Sequence, residues 1–295
     1  MRSGKPSFQI VRFVLLLTRA LPLKWAYGFC TFVVFIGSRL RWKRKSIALS
    51  NLKIVFPEKS DAERKSILRE SLRNRLKDYF EMAYVINGKY KAKQILPMVS
   101  ARGLENLDKL VQSGQGALLY SGHFGNFALM FTWLALKGYP IAAIYKEAKN
   151  FPDDFFGNVM RRLNVTPLKF RSDAHITVEV IKALKEKKIV LIMNDQSHPL
   201  GVYINFFGKS VPSPAGPALL AKRTGVPIIP AYIYRDRSNH HHIEVLPEMQ
   251  LIPENDMQKF LLINTQLMLD WIAELLLKHP TEWLWLHNRW KRAKE

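Results

Sequence analysis

The sequence predicts an α/β fold, a mainly parallel sheet flanked by helices, with an apolar helical segment in front of it. Three observations carry this expectation. Apolar runs of strand length recur from Gly116 onward, separated by helical stretches of about ten to fifteen residues, the spacing that crossover connections between parallel strands require. Caps and breakers (Asn126, Gly138, Gly225) punctuate the junctions. Ahead of them, nearly unbroken apolar residues give way to a cluster of cations, RLRWKRKS (Arg39 to Ser46).

The N-terminal segment is apolar from Phe8 to Leu23 except for Gln9, Arg12, Thr18, Arg19 and Pro22, and Trp25 to Gly37 carries no charge. Neither run reaches the ~18 uninterrupted apolar residues of an ordinary membrane span. A cleavable signal fits poorly, because no small-x-small site follows. The pattern reads as a membrane-associated helix pair, tilted into or lying on a bilayer, with Arg12, Arg19 and Lys24 reaching outward. The plainer alternative is a buried helix pair. The following cations suit an anionic leaflet or a solvated face. We therefore divide the chain into residues 1–44, the anchoring helices and basic cluster, and residues 45–295, a single α/β domain.

Ile47 to Phe56 is helical up to Pro57, and Ser60 caps a helix running to about Val85 along Ile67, Leu68, Leu72, Leu76, Phe80 and Met82. Gly116 to Ser121 is a buried strand, and Asn126 caps a helix through Leu136. Pro140 to Tyr145 is a strand, Asp153 to Leu163 a helix, Thr166 to Phe170 a strand, Ile176 to Lys187 a helix and Ile189 to Met193 a buried strand. Ser213 is expected to cap a helix from Pro214 to Thr224, ahead of a strand from Ile228 to Tyr234. His241 to Leu246 alternates like an edge strand, and Lys259 to Leu277 is a long amphipathic helix.

Composition narrows the classes. At 48% hydrophobic residues, the chain of 295 has ample material for a core and is not disordered. Lys and Arg number 45 against 24 Asp and Glu, a net charge of +21 that implies an anionic partner. No nucleic-acid reading motif is present, and the apolar N-terminus favours lipid over nucleic acid. Cys30, the single cysteine, excludes an intrachain disulfide and sits in an apolar run as a packed residue.

The segment that carries chemistry is LLYSGHFGNFA (Leu118 to Ala128), in which a strand delivers His123 into a glycine-bounded loop leading into a helix. A histidine there, followed by a carboxylate in the first helical turn, makes a general base with an orienter that fixes its tautomer. Position 128, where that acid should stand, is Ala. Taken alone, such a histidine is more often structural than catalytic. No GxSxG elbow points to a serine hydrolase. Asp195, like His123, ends an apolar strand, where α/β sheets place functional groups. His240, His241 and His242 read as a surface hairpin, not a metal site, since neighbours on a strand face opposite ways. Trp283, Trp285 and Trp290 suit either an interfacial belt or packing against the sheet.

Five segments in order, NLKIVFPEKS, SGHFGNFA, the strand ending in NDQS, FFGKSVPSPAGPALLAKRTGVPIIPAY and WLWLHNRWK, resemble the bacterial lipid A late acyltransferases, the lauroyl and myristoyl transferases within the glycerolipid acyltransferase group. The resemblance covers about Lys45 to Lys291 and implies a glycerolipid acyltransferase-like fold at the cytoplasmic face of the bacterial inner membrane. It implies transfer of a fatty acyl chain from acyl carrier protein to a hydroxyl on an acyl chain of the lipid A precursor, without a cofactor or metal. His123 becomes the base. Arg161 and Arg162 match the region of an important Arg, and Asp195 matches an acidic residue that holds an Arg or the His loop in place. Helix N-terminal amides around Gly125 and Asn126 suit an oxyanion. The family's pattern puts an Asp or Glu four residues beyond the His, so Ala128 implies impaired turnover. An engineered inactivation and a natural variant both fit, and the intact Asn126 and Phe127 favour the first. The resemblance leaves open another glycolipid or lysophospholipid acceptor, and a non-catalytic lipid-binding role.

Overall fold

A computed structural model of the chain describes residues 6–40, 42–147 and 151–294; Arg41 of the basic cluster lies outside them. The apolar segment forms two helices, α1 (Pro6–Ala20) and α2 (Leu23–Gly37), parted at Pro22. At 15 residues each, they are about 22 Å long, short of a ~30 Å hydrocarbon core. Ala26 and Cys30 of α2 are buried against Phe80 and Tyr84 of α4 (Asp61–Ile86), whereas Trp25, Phe29, Phe32 and Phe35 are exposed. The basic cluster runs into α3 (Lys43–Val55), and Ser60 caps α4 through a reciprocal pair with Glu63.

A short helix, α5 (Ala92–Ile95), leads to β1 (Val99–Arg102) and α6 (Glu105–Gln112). The expected alternation follows: β2 (Ala117–Ser121), α7 (Phe127–Leu136), β3 (Ile141–Tyr145), α8 (Phe155–Arg162), β4 (Thr166–Lys169), α9 (Asp173–Lys185) and β5 (Ile189–Met193). A hairpin of β6 (Val202–Phe206) and β7 (Lys209–Ser213) precedes α10 (Gly216–Thr224), β8 (Ile228–Arg235), β9 (His241–Val245) and α11 (Met257–Lys278). The described residues form a seven-stranded sheet in the order β1-β9-β8-β2-β5-β3-β4, parallel except for the β8–β9 pair. One apolar cluster lies on each face of the sheet. Among the described residues, α11 is the one helix long and apolar enough to cross a membrane, yet Met268, Leu269, Ile272, Leu275 and Leu276 bury its inner side in the sheet's core.

Two expectations need correction, and one open alternative is decided. Ser213 ends β7 and caps nothing: α10 begins at Gly216, and the buried Ser213 hydroxyl accepts from the Arg289 guanidinium instead. The strand at His241 is interior, because β1 pairs along its outer side. The tryptophans pack: Trp283 and Trp285 are fully buried, and Trp290 stacks on Phe206. Strands β1, β6 and β7 escape sequence reading because four or five residues with polar or proline members carry too little alternation.

Candidate active site

Strand register assembles the site. β2 and β5 are adjacent and parallel, with Ser121 paired to Met193, so His123 and Asp195 each stand two residues beyond that last pair. His123 Nδ1 donates to Asp195 Oδ1 at 2.7 Å, and the Trp283 indole donates to Asp195 Oδ2 at 2.8 Å. Burial pushes the Asp195 carboxyl up, but the charge and hydrogen bond of His123, with the Trp283 N–H, outweigh it and hold it at about 2. An ionised Asp195 keeps the His123 proton on Nδ1 and leaves Nε2 as the basic nitrogen. The Gln196 amide nitrogen lies 3.4 Å from both ring nitrogens, at the long limit of a hydrogen bond. Phe127 meets the imidazole edge to face.

The loop between β2 and α7 is held on every side. Gly125 has φ +45°, and a Cβ there would lie 2.4 Å from the Ile233 carbonyl oxygen, so only glycine fits against β8. Its N–H donates to the Glu282 carbonyl at 3.0 Å, which removes it from the expected oxyanion donors. Of the first-turn amides of α7, Leu129 N–H is taken by Asn126 Oδ1, and the Phe127 and Ala128 N–H groups lack intrahelical acceptors and remain candidates. Arg75 donates to the carbonyls of Gly125 at 3.0 Å, His123 at 3.2 Å and Glu282 at 3.3 Å. Asn126 caps α7 through Leu129 N–H, and its amide donates to buried Glu81 at 2.8 Å.

Behind the loop lies a buried charge cluster. Arg235 donates to both oxygens of Glu81, at 2.6 and 2.9 Å, and to Asp78 at 2.7 Å; His241 Nε2 is 2.9 Å from Glu81 Oε2. His241 is thus fully buried, contrary to the surface-hairpin expectation, and His240 and His242 are half-buried. Glu282, beside the loop, accepts from Asn74 at 2.6 Å, and burial, with Asp78 nearby, pushes its carboxyl up to about 7. None of these groups carries a sequence motif. The available signal is on α4, where Ser71, Arg75, Asp78 and Glu81 recur at three- or four-residue spacing on the buried face beside Leu68.

An apolar cavity of about 420 Å³ opens at His123, between α7, β3, β5 and α8, walled by Phe131, Ala143, Leu191, Phe156 and Met160 with Lys146 as its cation. Ala128 lines this cavity and a second, of about 100 Å³, that reaches Arg75 and Asp78. The sequence expectation puts the carboxylate partner of His123 at position 128 on α7; in the structure His123 meets a carboxylate just beyond the end of β5. Arg161 and Arg162 line neither cavity. Arg161 pairs with Asp154, and Arg162 donates to the Ile86 carbonyl. Among the described residues, no group of three or more His, Cys, Asp or Glu side chains is arranged to hold a metal ion.

A histidine hydrogen-bonded to a buried carboxylate, at the carboxyl ends of parallel strands and open to an apolar cavity, makes an arrangement able to deprotonate a hydroxyl beside a hydrocarbon chain. Residues 6–292 match the family described as bacterial lipid A biosynthesis acyltransferase, and the chain belongs to it. Similar proteins include the phosphatidylinositol mannoside acyltransferase of Mycobacterium tuberculosis (strain ATCC 25618 / H37Rv), 25% identical over 70% of this chain and 63% of that protein. The lipid A biosynthesis palmitoleoyltransferase of Escherichia coli (strain K12) is 23% identical over 84% of this chain and 79% of its own length, and the myristoyltransferase of the same strain is 25% identical over 75% and 68%. The chain thus spans under two thirds of the mycobacterial relative. Among solved structures, the 1-acyl-sn-glycerophosphate acyltransferase PlsC of Thermotoga maritima is similar with a TM-score of 0.38 and 18% identity, over 86% of this chain and 98% of that one.

Proposed function

We propose that this protein transfers a fatty acyl chain, of the lauroyl or myristoyl class, from the thioester of acyl carrier protein to a hydroxyl on an acyl chain of the lipid A precursor, at the cytoplasmic face of the bacterial inner membrane. The observation that carries this reading is the 2.7 Å contact between His123 Nδ1 and Asp195 Oδ1 at the mouth of the apolar cavity of about 420 Å³. That volume lies within the ~300–1,000 Å³ range of small-molecule pockets. His123 Nε2 takes the hydroxyl proton, and the oxygen attacks the thioester carbonyl. The tetrahedral intermediate then expels the thiolate, which recovers the proton from the imidazolium, while Asp195 holds the ring throughout. Family membership supports the reaction class. Because Asp195 supplies an orienting carboxylate, Ala128 is compatible with turnover.

The membrane reading rests on the exposed aromatic face of α2 and on a groove of about 790 Å³ between α2 and α4. Val34, Phe35 and Leu72 make its apolar wall, and Arg39, Lys65 and Arg69 its cationic rim, a pairing that suits a phosphate-bearing lipid. The likeness to a mannoside acyltransferase favours a second reading, the same chemistry on a different glycolipid. Mass spectrometry of lipid A from cells lacking and then regaining the protein tests the first. Gain of one acyl chain on complementation, lost with His123→Ala, is the expected result. An unchanged lipid A profile, with acylation of another glycolipid, would transfer the proposal to the second reading; an inert protein that still binds the precursor would leave a lipid-binding role.

A further inference from the structure

We propose that Glu81 is a positioning residue of this site: by gripping the side-chain amide of Asn126, it sets where the loop carrying His123 turns into α7. The proposal rests on the acyl-transfer reading above and goes beyond it, since Glu81 touches no reacting atom.

Glu81 is fully buried on α4. Its Oε2 accepts from Asn126 Nδ2 at 2.8 Å and from Arg235 at 2.9 Å, and lies 2.9 Å from His241 Nε2; its Oε1 accepts from Arg235 at 2.6 Å and from the Tyr27 hydroxyl of α2. Burial pushes this carboxyl up, but His241 and Arg235 outweigh it and hold it below the usual carboxylate range, so it stays an acceptor. Neutralising Arg235 explains the charge of Glu81 but not its bond to an uncharged amide. That bond has a geometric consequence. Asn126 faces two ways, its Nδ2 to Glu81 and its Oδ1 to the Leu129 N–H at 3.1 Å, so one side chain ties α4 to the first turn of α7, three residues after His123. Arg75 fixes the carbonyl side of the same loop from the same face of α4. A carboxylate whose ligands lie on α2, the site loop, β8 and β9 holds these four elements to one point.

Asn126→Ser keeps a good helix cap and leaves Glu81 paired with Arg235, His241 and Tyr27, so it removes the grip while sparing the charge cluster. The expected result, per folded protein, is a kcat lower by roughly 10- to 100-fold with KM within about 2-fold, as a small misplacement of a reacting group produces. Hydrogen exchange in residues 122–128 should quicken while β2 and β5 stay protected. Glu81→Gln should lower kcat too, and the double variant should lose no more than the larger single loss, the non-additivity of two residues acting through one contact. If Glu81→Gln does not accumulate folded, Asn126→Ser decides alone. A kcat per folded protein unchanged in Asn126→Ser, or losses that simply add, overturns the proposal. Should the unsubstituted protein acylate no acceptor, while exchange at 122–128 still responds to Asn126→Ser, the acyl-transfer reading fails and the grip on the loop stands.

Discussion

The interior of the sheet and the interior beneath the site loop are both buried, and they are built from opposite materials. In β2, the run Ala117 to Ser121 is buried at every position, and its neighbours across β5 and β8 are apolar. Behind His123, the space between α4, β8 and β9 is filled by Arg75, Asp78, Glu81, Arg235 and His241, all buried. Apolar burial stabilises by roughly 25 cal/mol per Å² and has no preferred direction. Buried ion pairs contribute little net stability because desolvation opposes them, yet each hydrogen bond has a direction. The difference teaches that the apolar layer makes the sheet, whereas the charged layer makes one loop conformation out of many.

The largest expected effect breaks the comparison at the site itself. Asp195→Asn should lower acyl transfer by ~10³–10⁴-fold in a thioester-release assay, because the ring loses its tautomer control. Ala128→Glu should change the rate by less than ~10-fold; a larger gain would return the orienting role to position 128. Next comes stability. Arg235→Met removes the cation that Glu81 and Asp78 share, leaving only His241 beside the one and Arg75 beside the other, and should destabilise by ~3–5 kcal/mol in denaturant unfolding. Leu119→Ala, a void in the apolar layer, should cost ~2–5 kcal/mol while leaving kcat per folded protein unchanged. Equal kcat losses in both variants would erase the proposed division of labour.

A smaller effect separates the layers by pH. The Glu282 carboxyl sits at about 7 when folded against an ordinary 4.5, so the folded state holds the proton more tightly. Its contribution is present below about 4.5 and is lost as pH rises toward 7, at up to ~1.4 kcal/mol per pH unit. Glu282→Gln should flatten that decline in thermal melts. Asp195 runs the other way: its carboxyl is lowered from 3.8 to about 2, so its stabilisation is present above 3.8 and is lost as pH falls through 2. Ser60→Ala, far from both layers, should remove about 1 kcal/mol by loss of the α4 cap.

Much of the fold was legible because it follows local rules. The Ser60 and Asn126 caps, the uncharged run of α2 and the buried strands β2 and β5 each declare themselves within a few residues. The buried face of α4 did not, because Ser71, Asn74, Arg75, Asp78 and Glu81 look like a solvated helix face until the loop they receive is in place. Arg161 and Arg162 show the reverse: the family resemblance put function on them, while their guanidinium groups turn to Asp154 and the Ile86 carbonyl.

By itself, the sequence determined that a strand would present His123 on a glycine loop before a capped helix, since periodicity and capping act over a single element. Only the tertiary structure decided that the carboxylate facing His123 would be Asp195, 72 residues on, and that Glu81 would meet Arg235 and His241, 154 and 160 residues away. Strand order and register set those meetings, and they arise when the whole sheet closes. The absence at position 128 is therefore a local fact, and the presence of a carboxylate against His123 is a global one.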